Sequence, residues 1–435
     1  MKIPARIIAP ISLAFFCATI LMSFLWWQLN QSTSLLNIAP KSTETGTVVE
    51  YDSPTTVTDP SGDKALTHMR QGDLLALKGD WAGAQSEYEG AVKEGGGLPA
   101  LRKLAQAQLQ RRDMDGVKST IKKMRSAGAK AEDILLLESI MNLRTGELVK
   151  AKRMLETAKE SPQKHYGLVL LSVIEGDHIR SQEELNLVAS GWEPVLRSYA
   201  KTLQAAYDEF ALFPESPSIH LITLLSRALA QVQECELALP LLIQVTGQKD
   251  DYRDAWIVQG YCELTTERFT QALASLEQAY TIDPQKSEIQ YFLGRTYAAL
   301  DDPVNAITFL EYAVVNGFQP ESEVRQYIAA EALKSENGQL ALEQYAILTR
   351  DENATLDLFE TLVETGIALD QFEEAYVSAG EAVERWPEKG KAYELLGIAA
   401  LALDADEEAT EAFQKAVELD PFLTTAKEKL AELSE

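Results

Sequence analysis

The 435-residue chain is 46% hydrophobic and 24% charged, and its 66 acidic against 40 basic residues give a formal net charge of -26. This composition excludes a disordered or collagen-like chain, and the length calls for two or three domains or one extended array rather than a single small core. The acidic excess argues against nucleic acid as a partner, and the richness in Leu, Ala and Glu predicts helices.

The first predicted element comes after Lys2 and Arg6: residues 7–27 run 21 positions without a charge. As a helix at about 1.5 Å per residue they would span roughly 30 Å, the thickness of a bilayer's hydrocarbon layer. Trp26 and Trp27 fall where interfacial aromatics sit, and no cation occurs until Lys41. The positive-inside bias then puts the N-terminus in the cytoplasm and the rest outside it, in the periplasm or the extracellular space. A cleaved signal peptide would have a shorter apolar core ending at small residues, whereas this one exits through Phe24, Leu25, Trp26 and Trp27, so residues 1–27 are read as an uncleaved signal anchor. Residues 28–64, rich in Ser, Thr, Pro and Asp, read as a flexible linker. Of the three cysteines, Cys17 lies in the apolar segment; Cys235 and Cys262 are read as two separate buried thiols, although an oxidising compartment would let them pair.

An internal period organises the chain beyond the linker. Gly260 matches Gly294, Ala272 matches Ala306 and Ala279 matches Ala313 at 34-residue steps; Ala341, Ala375 and Ala409 continue them, and Ala84, Val117 and Ala151 extend them upstream. Each unit holds two amphipathic stretches split by a short polar turn, which predicts stacked helical hairpins. Gly72, Gly260, Gly294 and Gly397 recur inside helices, where glycine is unfavourable, so a close approach of the paired helix is expected at each.

The spacing of Trp256, Gly260, Ala272, Leu276, Ala279 and Pro284, and again of Tyr393, Leu396, Gly397, Ala409, Phe413, Ala416 and Pro421, resembles the tetratricopeptide repeat family. The resemblance implies an all-α solenoid of helical hairpins. A first block of about three repeats is assigned to residues 65–165, and a degenerate repeat plus an extra helix to 166–218. A second block of six repeats takes 219–252, 253–286, 287–321, 322–355, 356–389 and 390–423, and residues 424–435 form a capping helix.

Catalysis needs convergent groups, and the usual ones are missing. The histidines His68, His165, His178 and His220 lack metal-like spacing, and the glycine cluster at 94–97 lacks the Lys-Ser/Thr of a phosphate loop. Asp404, Asp406 and Glu408 alternate like calcium ligands, but no glycine stands at the required place and they open a helix. Cys262 lacks a local nucleophile signature. No catalytic, cofactor or metal residues are assigned, and the protein is read as a non-enzyme without cofactors. Charge is more informative: residues 61–165 hold 19 basic and 14 acidic residues, whereas 166–435 hold 18 and 48. Arg111, Arg112, Lys118, Lys122, Lys123 and Arg125 form a basic stretch, read as a solvated face.

The resemblance implies a superhelix whose concave groove, lined by first helices, holds a partner peptide. Positions spaced at three and seven on one helical face mark that groove: Arg227, Tyr261, Tyr291, Arg295, Gln326, Glu360, Glu364 and Glu394 are its candidate residues. The paired Lys and Asn with which some family members clamp a C-terminal carboxylate are absent there. The expected function is a single-pass membrane scaffold that binds a basic protein or peptide in cell-envelope, secretion or pilus assembly. Two other readings are a carbohydrate or cell-wall polymer binder using Tyr261 and Tyr291, and an enzyme with a site around Trp192.

Overall fold

The structure, a computed structural model, describes residues 64–213 and 215–433. The anchor at 1–27 and nearly all of the linker at 28–64 lie outside the described residues, among which no helix is long and apolar enough to cross a membrane. The described residues form 22 helices and no strand. The chain divides into two compact units, the first ending at Leu241 and the second running Leu242–Glu435.

In the first unit, hairpin 1 pairs Lys64–Leu77 with Trp81–Lys93, hairpin 2 pairs Gly97–Gln110 with Met114–Ser126, and hairpin 3 pairs Ala131–Arg144 with Leu148–Thr157. Hairpin 4 pairs Pro162–Glu175 with His178–Ala189; the single helix Pro194–Ala211 comes next, and hairpin 5 opens with Ser218–Gln231 and continues into Cys235–Gln248. In the second unit, hairpin 6 pairs Arg253–Thr265 with Phe269–Ile282, hairpin 7 Ser287–Ala299 with Pro303–Val315, and hairpin 8 Glu321–Lys334 with Gly338–Leu348. Hairpin 9 pairs Leu356–Ala368 with Phe372–Arg385, hairpin 10 pairs Gly390–Ala402 with Asp406–Leu419, and Thr424–Glu432 packs on the last hairpin.

One turn serves all ten hairpins. A single residue with φ between 57° and 81° ends each first helix: Gly79, Arg112, Gly146, Gly176, Gln233, Glu267, Asp301, Glu336, Asp370 and Asp404. The N–H after it returns to a carbonyl five residues back at 2.8–3.0 Å, as from Arg268 to Glu263 and from Asp302 to Tyr297. This is the Schellman closure, which satisfies carbonyls that a helix end would leave orphaned. In hairpins 1, 2, 4, 7 and 8 the next residue, Asp80, Asp113, Asp177, Asp302 or Asn337, caps the second helix by accepting a backbone N–H three positions on.

The periodic small residues form the core. Ala84, Val117, Ala151, Ala272, Ala306, Ala341, Ala375 and Ala409 are buried on second helices, and the recurring glycines Gly72, Gly260, Gly294 and Gly397 stand against the second-helix side chains Tyr88, Leu276, Leu310 and Phe413. A Cβ on Gly294 would come 2.6 Å from Leu310 Cγ, and one on Gly260 would come 2.5 Å from Leu276 Cγ. The close approach expected from sequence is therefore present. Cys235 and Cys262 are each disulfide-bonded, not the separate thiols expected from sequence. Two cysteines without a local pairing pattern give no spacing signal, so only the fold reveals their state.

Within the first unit, Arg144 makes a contact that local stacking does not supply. Its Nε donates to Glu234 Oε2 at 2.8 Å, Nη1 to the Leu109 carbonyl at 2.8 Å and Nη2 to the Gln233 carbonyl at 2.9 Å. Both charged side chains are only 4% exposed. Arg112 Nε lies 3.0 Å from Glu236 Oε1 beside this pair, so this residue of the basic stretch is partly buried and ion-paired, whereas the whole stretch is expected from sequence to be a solvated face. Burial pushes the Glu234 carboxyl up, and Arg144 opposes that shift.

Candidate functional site

The candidate residues of the second unit sit on its first helices, at equivalent positions. Turn chemistry and the small-residue core put these helices side by side, and their exposed edges meet directly. The Tyr261 ring of hairpin 6 lies 5.2 Å from that of Phe292 in hairpin 7, and Tyr291 Oη donates to Glu323 Oε1 of hairpin 8 at 2.5 Å. Further along, Lys391 Nζ of hairpin 10 sits 2.8 Å from Glu360 Oε1 of hairpin 9.

Exposure separates the candidates. Glu364 and Gln326 are exposed, and Tyr261, Arg295 and Glu360 are half-buried. Tyr291 is 3% exposed and Glu394 2%. Glu394 Oε1 holds Lys391 at 2.7 Å while Oε2 accepts the Ala426 N–H at 3.1 Å, so this carboxylate tethers the last helix instead of facing a groove. Arg227 belongs to the first unit, where it pairs with Glu209 at 2.5 Å. Tyr291 stacks on Phe318 at 4.2 Å and 18°, so it cannot stack on a sugar ring, and the polymer-binding reading loses one of its two platforms. Trp192, the focus of the enzyme reading, is 73% exposed just before Pro194–Ala211.

Arg295 lies on the first helix of hairpin 7. Its guanidinium carbon lies 5.6 Å from the Tyr291 ring centre and 5.0 Å from that of Tyr327, and Nη1 donates to Tyr291 Oη at 3.4 Å. Burial by itself would weaken the cation, but the two tyrosines hold its pKa above the usual arginine value. Burial raises the Tyr291 phenol against the opposing Arg295 cation, and the Glu323 carboxylate that accepts its hydrogen bond raises it further. Burial opposes the Lys391 ammonium too, but Glu360 and Glu394 hold it charged. Three aromatics here, Phe292, Phe318 and Tyr327, lie outside the sequence-derived set. Tyr327 stands four residues after Glu323, a helical neighbour that a search for aromatic residues beside the acidic positions would find.

A family model described as a tetratricopeptide repeat matches residues 264–322, and a second of the same description matches 223–287 and 367–423. The chain carries tetratricopeptide repeats. Among solved structures, it is similar to YrrB, described as a TPR protein with an unusual peptide-binding site: 16% identity, 43% of this chain and 96% of that one covered, TM-score 0.36. It is also similar to PilW, a type IV pilus biogenesis factor, at 17% identity with 49% and 99% covered and a TM-score of 0.35. A tetratricopeptide repeat protein from Parabacteroides merdae is 16% identical, with 62% and 100% covered and a TM-score of 0.33. No curated protein matches the sequence significantly. Repeats of this kind stack into surfaces that bind protein or peptide partners, and the TPR array is a protein-interaction scaffold in that sense.

Proposed function

We propose that the chain is a membrane-anchored TPR scaffold whose array, outside the cytoplasm, holds a basic protein or peptide segment during cell-envelope, secretion or pilus assembly. The observation that carries the basic partner is the charge of the first-helix face. Asp254, Glu288, Glu323, Asp357, Glu360 and Glu364 lie along it, in a unit that holds 14 basic against 38 acidic residues. Such a surface steers a cationic segment toward itself and repels anionic polymers. The uncharged stretch 7–27 behind Lys2 and Arg6 supports the anchor, and the disulfide-bonded state of Cys235 and Cys262 supports an oxidising compartment.

Proximity labelling in intact cells tests this, with a peroxidase fused after Glu435 in the parent and in an Asp357→Lys/Glu364→Lys variant. Both positions are exposed, so the fold should tolerate the reversal. The parent should enrich one or a few basic envelope proteins, and the variant should lose about tenfold of that enrichment, equivalent to roughly 1.4 kcal/mol. Identical label sets from the two proteins would refute the acidic face as the docking surface.

A further inference from the structure

Arg295 stands apart from the other cations of the second unit's first-helix face. Lys391 is held by two carboxylates, Glu360 and Glu394. Arg295 has no ion pair among the described residues: its polar contact is the 3.4 Å bond to Tyr291 Oη, and aromatic faces cover it on two sides. A guanidinium carries five N–H donors in a planar fork that matches a carboxylate. Four of the five here have no protein acceptor among the described residues, although the side chain is half-buried and so partly desolvated. Its neighbours are fixed: Tyr291 is pinned by Glu323 and Phe318, and Tyr327 packs beside it. The result is an oriented cation held by its neighbours in a unit where acidic residues outnumber basic ones.

We infer that Arg295, seated on Tyr291 and Tyr327, is a subsite for a side-chain carboxylate of the bound segment, which therefore carries an Asp or Glu within a basic sequence. This rests on the proposed reading of the face as a peptide-binding surface and deepens it. The acidic positions Asp357, Glu360 and Glu364 lie on the first helix of hairpin 9, two hairpins from Arg295. At about 10 Å per packed helix and about 3.3 Å per extended residue, the two subsites are roughly six residues apart on an extended ligand. The occupant is therefore an extended segment with one acidic residue and a Lys or Arg cluster about six positions away. Charge complementarity at both ends fixes its direction along the array.

Fluorescence anisotropy on the full-length chain tests the assignment with three labelled, C-terminally amidated twelve-residue peptides. Each carries a Lys pair, and the position six residues away is Glu, Gln or Lys. The Glu peptide should bind about tenfold tighter than the Gln peptide and tighter still than the Lys peptide. In Arg295→Gln the ratio of Glu-peptide to Gln-peptide affinity should fall to about one; Arg295→Lys, which keeps the charge but loses the planar fork, should retain part of the preference. Circular dichroism on both variants checks the fold. Equal binding of the Glu and Gln peptides to the parent, or a Glu preference that persists in Arg295→Gln, overturns the subsite while leaving the basic-peptide reading intact. If none of the three Lys-pair peptides binds, or if Asp357→Lys/Glu364→Lys changes none of their affinities, the acidic-face reading itself fails and the subsite falls with it.

Discussion

A glycine inside a helix means opposite things at two positions of the same unit. Gly294 faces Leu310 and the Ala306 carbonyl so closely that a methyl group would stand 2.6 Å from the first and 3.1 Å from the second. Gly380, inside Phe372–Arg385, faces nothing within 4 Å. Gly→Ala at either site gains about 1 kcal/mol of helix propensity. At Gly294 that gain is outweighed by overpacking of about 1–3 kcal/mol. Gly294→Ala should therefore lower the second unit's calorimetric midpoint and Gly380→Ala should raise it; two shifts of the same sign would refute the packing account. Gly294 was legible because its 34-residue period pairs it with Gly260. The fates of Tyr291 and Glu394 were not, because the same period marks a face without saying what covers it. Phe318 covers Tyr291 from the loop before hairpin 8, and Ala426 reaches Glu394 from the last helix.

Helices, and the turns that join them, were the most legible level. Apolar residues at three- and four-residue spacings marked the paired helices, and the polar turns at 265–268, 300–303 and 403–406 hold the left-handed residues Glu267, Asp301 and Asp404. Seven of the ten left-handed hairpin residues are not glycine, so local propensity alone would have missed the turn's geometry at most sites. What the periodicity could not supply is how the final helix is held. Thr424–Glu432 carries only one fully buried side chain, Ala426, and the first N–H groups of a helix have no partner within it. Glu394 supplies one acceptor across the interface. Replacing it by Ala leaves the Ala426 N–H unpartnered and removes one of two carboxylates from Lys391, at a cost of about 1–3 kcal/mol. Hydrogen exchange should then rise across Thr424–Glu432 and little elsewhere, with Glu394→Gln intermediate because its amide oxygen can still accept. Unchanged exchange in that helix would mean that apolar contact with Phe413 alone holds it.

In a stacked-repeat chain, each hairpin should depend on its neighbours and little else. The first unit departs from that rule through Arg144, which joins hairpin 3 to a carbonyl of hairpin 2 and to the turn of hairpin 5, some ninety positions along the chain. Two of its three acceptors are backbone carbonyls, which leave no trace in side-chain patterns, and this is why the contact was invisible in the sequence. Its energetics are asymmetric. Arg144→Met leaves the Glu234 carboxylate buried without its partner, a cost of about 3–5 kcal/mol, whereas an apolar pair at both positions is often neutral or better. Hydrogen exchange on Arg144→Met should therefore rise together in Gly97–Gln110, Ala131–Arg144 and Ser218–Gln231, leaving hairpins 7 to 10 unchanged, and Arg144→Met/Glu234→Met should recover most of the protection. Loss confined to hairpin 3 would show that the first unit obeys nearest-neighbour stacking after all. A double variant as damaged as the single one would show that the backbone contacts to Leu109 and Gln233, not the ion pair, close it.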